Sequence, residues 1–209
     1  MSTKIQQYLH RPNKTELGLT GTHETYLSVN TSLDLKSMFP NAIQQHFVDV
    51  TTHKKYSTKS AIDQEFRINQ MGEFYRDKKV RPGDDIIFHK IIKTSETFFF
   101  IDVYHFNRVL FFKNKNGYDL ANIDLLFPLS PSNPTFVIPV IWNKTNGELT
   151  IQFAKSEKKR KDSPILTDFY SLSFNGQDLS GKDLMLTLGN YNLLSLYSKY
   201  EFHEITWED

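Results

Sequence analysis

The sequence predicts an α+β chain that is mostly β. Its 209 residues hold seventeen Phe and ten Tyr against nine Gly. Aromatic side chains suit a pleated, half-buried surface. Short runs with apolar residues at every second position recur along the chain, the period of a strand with one buried face. A helical spacing of apolar residues is clearest in one short stretch, residues 70–79. Apolar residues make up 39% of the chain, enough to bury a core. The length admits either one large domain or two small ones.

Residues 1–18 read as a polar lead-in with a short helix. "TYLSV" (25–29) alternates and is a strand. "SLDLKSMFP" (32–40) is a short helix, with Ser32 and Asp34 as caps, Leu33, Leu35 and Met38 on one side, and Pro40 as the stop. In "QHFVDVTTHKKYST" (45–58), Phe47, Asp49 and Thr51 alternate with His46, Val48 and Val50, and Thr51-Thr52-His53-Lys54 turns this strand into the next. "EFRI" (65–68) is a short strand. Asn69 then caps a helix from about Gln70 to Lys79, with Met71, Phe74, Tyr75 and Val80 on its apolar face. Arg81-Pro82-Gly83-Asp84 cannot continue that helix and makes a tight turn, which Asp84 is placed to cap. "DIIFHKII" (85–92) and "TFFFIDVYHF" (97–106) form a hairpin across residues 93–96.

Past residue 108 the texture stays strand-like but changes, so the chain divides into 1–108 and a second, smaller β-rich subdomain, 109–209. "LFPLSPSNPTFVIPVIW" (126–142) carries four prolines. Pro128, Pro131 and Pro134 fit a surface connection, and Pro139 within an apolar run argues for an edge or a bulge. Asn146-Gly147 is a hairpin turn into the strand after it. "KSEKKRKDSP" (155–164) is a charged loop, residues 167–189 hold further strands, and residues 190–207 are a short helix followed by a strand.

Composition narrows the function. There is no cysteine, hence no disulfide framework and no thiolate metal site. No run approaches the ~18 apolar residues of a membrane span, and the first residues lack the apolar stretch of a signal peptide. A cytoplasmic protein with no membrane partner is the reading. No glycine-rich phosphate loop announces a nucleotide motor. His23, His46, His53 and His89 lack metal-site spacing, so neither a metal nor a cofactor is expected. Net charge is +1, but it is unevenly spread. Residues 54–93 hold ten Lys/Arg (54, 55, 59, 67, 76, 78, 79, 81, 90, 93) against six acids (63, 65, 73, 77, 84, 85), whereas 201–209 hold four acids and no base. A phosphate backbone responds to the local field rather than to the total.

The stretches "LTGTHETYLSVNTSLDLKSMFP", "HFVDVTTHKKYS", "FRINQMGEFYRDKKVRPGDDIIFHKI" and "FFFIDVY" together resemble the DNA-binding pseudobarrel of plant B-three transcription factors. They are similar also to its bacterial relatives, the effector domains of EcoRII-type and McrB-like or LlaJI-type restriction enzymes. The most specific piece is Gly72, Phe74, Lys78, Lys79, Arg81, Pro82, Gly83, Asp84, Ile86 and Phe88. The match spans roughly residues 18–107. It implies a seven-stranded pseudobarrel with short flanking helices that grips the major groove with two arms, and a role as the targeting part of a prokaryotic restriction system. Double-stranded DNA is then the partner, with a nuclease or motor subunit beside it, and this chain needs no catalytic residue of its own.

Carried onto this chain, the first arm is residues 21–26, with Thr22, His23, Glu24, Thr25 and Tyr26. The plant members carry more Arg and Lys there than "GTHETY" does. The second arm is residues 57–69, with Lys59, Ser60, Asp63, Gln64, Arg67 and Asn69. The residue types fit base reading. Arg67 can pair with guanine O6 and N7, Gln64 or Asn69 with adenine, and Glu24 or Asp63 with cytosine N4. Lys54, Lys55, Lys59, Lys78 and Lys79 are candidates for phosphate contacts, which position a duplex without reading it. The plainer reading of Lys78 and Lys79 is a solvated helix end, where cations favour the negative dipole. Lys155–Lys161 offers a second phosphate-contacting loop, but a solvated flexible loop is the favoured reading.

The main rival is a complete small Mg²⁺-dependent restriction endonuclease with its centre in residues 110–209. Metal-dependent nucleases need clustered acids near a lysine. Glu148 and Lys155 offer this thinly, since Gln152 stands where another acid is wanted, and Asp162 and Asp168 are near only in sequence. The second rival is a β-barrel that binds no nucleic acid.

Overall fold

A computed structural model describes residues 2–19, 25–29, 35–62, 66–114, 117–122, 125, 135–142, 148–159, 166–171, 173–174, 177–178, 183–187, 193–196 and 198–208. They fall into two units by their contacts, Met1–His105 with Lys199–Asp209, and Phe106–Ser198. The first unit holds β1 (Ser2–His10), β2 (Tyr26–Val29), β3 (Gln44–Asp49), β4 (Lys55–Ile62), β5 (Phe66–Asn69), α1 (Gly72–Asp77), β6 (Asp85–Ile92) and β7 (Thr97–Tyr104). The second holds β8 (Arg108–Asn114), β9 (Gly117–Ala121), β10 (Thr135–Trp142), β11 (Glu148–Lys159), β12 (Leu166–Ser171), β13 (Ser173–Phe174), β14 (Gln177–Asp178), β15 (Leu184–Thr187) and β16 (Leu193–Leu196). The chain then returns to the first unit as β17 (Tyr200–Glu208).

The first unit is an open, curled sheet in the order β17-β1-β6-β7-β3-β4-β5-β2. All its pairings are antiparallel except β3 with β7. Alternation along the strands sends Tyr8, Leu27, Phe47, Tyr56, Phe66, Ile68, Ile86, Phe88, Ile101 and Val103 to one buried face. Phe88 lies at the centre, edge-on to Phe39 and Phe47, each with ring centroids 5.0 Å away. Such aromatic pairs contribute about 0.5–1.5 kcal/mol beyond the area they bury. α1 covers the β4–β5 end. Met71, Phe74 and Tyr75 are buried and Val80 packs against the core, the face that the apolar spacing predicted. Lys79 turns left-handed after the helix, and Gly83 does so in the tight turn. Asp84, fully buried, accepts the Arg81 N–H at 2.7 Å and lies 2.8 Å from His105 Nδ1, which closes the turn.

Several local expectations are corrected. Residues 2–10 are a strand, not a lead-in with a helix. β1 lies between β17 and β6, so its polar side chains are answered by those strands, as where Glu204 takes both Lys4 and Gln6. Residues 36–38 form turns rather than a helix, with the Met38 and Phe39 N–H groups both donating to Leu35 O. Asn69 is the last residue of β5, and α1 starts without a side-chain cap. The sheet has eight strands, one more than expected, because β17 joins its edge. The residues from Lys199 onward therefore lie with the first unit, not with 109–198. No helix precedes β17 among the described residues of that stretch, where β16 stands instead.

The second unit is a closed barrel in the order β10-β11-β12-β9-β8-β15-β16, with β13 and β14 as a separate pair. β10 and β11 are the antiparallel hairpin expected around Asn146-Gly147, a turn that itself lies outside the described residues. β16 pairs with β10 only at Ile141 and Trp142. Pro139 of β10 stands opposite Thr150 of β11. Residues 155–159, expected in a loop, are the end of β11.

One buried polar network ties the first unit together. Glu16 is 1% exposed. Its Oε1 lies 3.1 Å from His10 Nε2 and 2.9 Å from Lys199 Nζ, and accepts the Ser28 N–H at 2.8 Å. Oε2 accepts the Asn13 N–H at 2.9 Å. His10 Nδ1 meets Tyr8 Oη at 2.9 Å. Burial alone would raise the Glu16 pKa. His10, Lys199 and the Asn13 amide outweigh it and hold the carboxyl at about 2. Burial also pushes the His10 imidazole below its ordinary 6.5, against the pull of Glu16. A neutral His10 that donates from Nε2 and accepts from Tyr8 leaves Glu16 and Lys199 as the charged pair.

Two outcomes follow from this arrangement. In the unfolded chain His10 takes up its proton near pH 6.5, whereas the folded form resists it. Stability is therefore full above that pH and falls on acidification, with Glu16 adding its own loss below its ordinary 4.5. Thermal melts between pH 7.5 and 5.5 should show a falling Tm, and His10→Gln should flatten that slope; a wild-type Tm independent of pH in this range would contradict the buried neutral imidazole. Second, Val103, Ile86, His10 and Tyr200 share one row of the sheet. β7 and β17 thus stand three strand spacings apart, about 14 Å. A Gly/Ser linker of about eight residues joining His105 to Lys199 should preserve a cooperative melt of the first unit, whereas fragment 1–108, without β17 and Lys199, should melt at lower temperature or not fold.

Candidate nucleic-acid interface

The same alternation that buries one face of β4, β5 and β2 turns the other face outward. Lys59, Asn69 and Tyr26 stand directly opposite one another across these strands, and Ala61, Arg67 and Ser28 form the next row. Ser57 and Lys55 continue the face along β4. On β3 it is extended by Gln44 opposite Lys59, His46 opposite Ser57 and Val48 opposite Lys55. Three strands span about 10 Å, comparable with the ~12 Å width of the B-DNA major groove. Among the described residues the face carries three cations, Lys55, Lys59 and Arg67, and no carboxylate.

Two of its side chains are held in place. The Arg67 guanidinium lies over the Tyr26 ring, 4.5 Å from the centroid, a stacking that fixes a planar fork of donors. Ser57 Oγ lies 2.9 Å from His46 Nδ1, which leaves Nε2 as the outer ring nitrogen. The strand under Tyr26 is also anchored. Its N–H donates to Glu16 O at 3.1 Å, and Tyr75 Oη donates to its carbonyl at 3.1 Å.

The residues proposed from the sequence divide accordingly. Tyr26, Lys55, Lys59, Arg67 and Asn69 come together on this face. Thr25 precedes it, packed against the start of α1. Ser60 does not belong: it is buried on the core side, its Oγ donating to the carbonyls of Phe39 and Pro40. Lys54 sits in the β3–β4 turn between Asp77 at 2.6 Å and Glu73 at 2.7 Å. Hydrogen bonds to those two carboxylates raise its pKa. Lys78 is paired at 2.8 Å with the fully buried Asp49. These two lysines fasten α1 to the β3–β4 turn, and Lys79 lies exposed beside them at the helix end. Thr22, His23, Glu24, Asp63 and Gln64 lie outside the described residues. Sequence reasoning missed Gln44, His46 and Ser28 and placed Ser57 only at the start of the second arm, although once Lys55 and Lys59 are placed outward, parity and the hairpin register supply all but Ser28.

In the second unit Glu148 and Lys155 are both on β11, seven residues apart. Asp168 is on β12 opposite Glu157, and Asp162 lies outside the described residues. Among the described residues no three His, Asp or Glu side chains gather as metal ligands would.

No family model and no curated protein matches the chain. Among solved structures it is similar to an Arabidopsis FUS3–DNA complex, at 9% identity and a TM-score of 0.38, over 46% of this chain and 94% of that one. It is similar also to the N-terminal domain of Helicobacter pylori LlaJI.R1, at 10% identity and a TM-score of 0.34, over 48% of this chain and 81% of that one. These are the plant and bacterial types that the Arg-Pro-Gly-Asp resemblance names.

Gly72 supplies a test of the anchoring. A Cβ there would meet Thr25 Oγ1 at 2.8 Å. In the wild-type background Gly72→Ala should destabilise by roughly 1 kcal/mol despite the better helix propensity of alanine. With Thr25→Ala also present it should become neutral or stabilising, and a double-mutant cycle by urea denaturation reads the coupling. Additive effects would show that the contact is absent.

Proposed function

We propose that this chain recognises double-stranded DNA sequence-specifically, with the outward face of β4, β5 and β2 set into the major groove. The observation that carries this is the face itself: Lys55, Lys59, Arg67, Asn69 and Tyr26 gathered on rigid strands, cationic, without a carboxylate among the described residues, and with Arg67 already stacked on Tyr26. Lys55 and Lys59 are the phosphate-contacting residues. Arg67 reads guanine through its fork and Asn69 reads adenine. The motif resemblance in residues 18–107 supports the further reading that the chain is the targeting domain or subunit of a prokaryotic restriction system. It then works in the cytoplasm, and cleavage is supplied by another domain or partner chain.

The test is selection of bound duplexes from a random-sequence pool, methylated and unmethylated, at physiological salt without metal. One short enriched motif is expected. Arg67→Ala should relax one position of it at a cost of about 1–3 kcal/mol for the preferred base pair. Lys59→Ala should weaken all sequences alike and lower the salt slope by about one. No enrichment, or binding insensitive to salt, overturns the reading. Cleavage of the selected duplex by this chain alone on adding Mg²⁺ would replace the targeting role by that of a complete endonuclease.

A further inference from the structure

The sheet of the first unit has two edges, β2 and β17. β17 is nine residues long and pairs with β1 in one unbroken register, from Ser2 opposite Glu208 to His10 opposite Tyr200. Among the described residues it has no second ladder partner. His203, Glu204, Ile205, Thr206 and Trp207 are all exposed. Alternate residues of a strand point to opposite faces, so neither face of this segment is covered. A free edge presents a row of backbone N–H and C=O groups, and proteins commonly blunt one with a lysine, a proline, a bulge or a short strand. β17 has none of these. It carries instead two apolar side chains on one face, Ile205 at 45% exposure and Trp207 at 55%. Ile205 ends an apolar row that crosses four strands, with Ile5 opposite it, Ile91 opposite Ile5 and Phe98 opposite Ile91.

The charges of β17 say what fits against this edge. Glu204 takes Lys4 at 2.8 Å and the Gln6 amide, and Glu201 takes Arg11 at 2.8 Å. Both acids are thus answered within the sheet, and the edge does not ask for a basic strand. A second β17 complements it. In an antiparallel pair whose two-fold axis passes at Ile205, that residue meets its own copy, Glu204 meets Thr206 and His203 meets Trp207. No like charges meet over residues 203–207. An axis at Glu204 would set that carboxylate against itself, and an axis at Thr206 would set Glu204 against Glu208; like charges directly opposite repel. The Ile205 register has the self-complementarity that a two-fold interface requires. We propose that two copies of this chain associate edge to edge through β17, antiparallel about Ile205, so that their sheets become one. The apolar row then runs unbroken from Phe98 of one copy to Phe98 of the other. The interface uses the edge opposite to β2 and needs no residue of the nucleic-acid face.

Sedimentation equilibrium of the full chain, from micromolar to submillimolar concentration, should show a monomer–dimer equilibrium. Ile205→Lys sets two ammonium groups face to face on the axis, and Ile205→Glu sets two carboxylates there. Each variant alone should keep a cooperative melt, since Ile205 is exposed, and should sediment at the monomer mass. Mixed in equal amounts, the two should return to the dimer mass as a pair with one copy of each, because only a residue on the axis meets itself. That recovery also shows that neither variant is monomeric through misfolding. A wild-type chain that stays monomeric throughout overturns the inference. An Ile205→Lys variant that still dimerises overturns it too, since the copies then meet elsewhere. A mixture that stays monomeric places Ile205 off the axis and equally overturns it.

Discussion

Glu16 is the residue on which the first unit depends. A carboxylate that is almost wholly out of water costs several kcal/mol unless its oxygens are met. Here they are met by four residues, three of them near in sequence and one remote: His10 on β1, Asn13 in the following turn, Ser28 on β2, and Lys199 just before β17. His10 ends β1, Ser28 lies within β2 and Lys199 immediately precedes β17. The network therefore sets where β1 stops, where β2 lies and where the chain returns. Replacing such a cluster by apolar groups need not lose stability, but removing one member strands a buried charge. That asymmetry gives the arrangement one geometry, and the position of Tyr26 follows from it.

The cations between residues 54 and 79 show why a charge count says little about a binding face. Lys54 and Lys55 are neighbours, yet the first is taken up by Glu73 and Asp77 while the second stands on the outward face of β4. Lys78 closes the β3–β4 turn through Asp49, whose Oδ1 also accepts from the Thr51 and Thr52 amides. Strand parity and the ion pairs of α1 decide which charges remain for a ligand. Parity was legible: the alternation in "KKYSTKSAI" already separates Lys55, Ser57 and Lys59 from Tyr56, Thr58 and Ser60, and placing Ser60 among the reading residues overlooked it. The pairing of Lys54 with α1 was not legible, since it needs the helix docked at a known angle.

Much of the first unit could be read because its signals are local. Asp84 closes its turn with groups three residues away, Phe74 and Tyr75 follow a helical period, and the β6–β7 hairpin spans four residues. What escaped is non-local. β1 looks like a polar lead-in because its neighbours, β6 and β17, are about eighty and two hundred residues away, and no alternation within Ser2–His10 reveals them. Closing so long a loop costs only modestly more than closing a short one. An entire barrel can therefore stand between β7 and β17 without preventing their return to one sheet. The change of texture near residue 108 carries no sign that the chain comes back to the first unit at Lys199.

The placement of β2 at the sheet's edge makes this anchoring matter for recognition. An edge strand of four residues has one ladder partner, β5, and would otherwise be the most easily displaced part of the face. Glu16 holds its backbone from one side, Tyr75 from α1 holds it from another, and Gly72 lets α1 approach Thr25 closely. Tyr26 is thereby fixed, and Arg67 rests on its ring. A guanidinium that is already oriented loses less freedom when it meets a planar pair of acceptors than one that must be ordered on contact. Discrimination between base pairs depends on that saving, because a mobile side chain can adapt to the wrong acceptor as well as to the right one. The costly buried network lies under the strand that carries Tyr26, where geometry rather than charge decides what is bound.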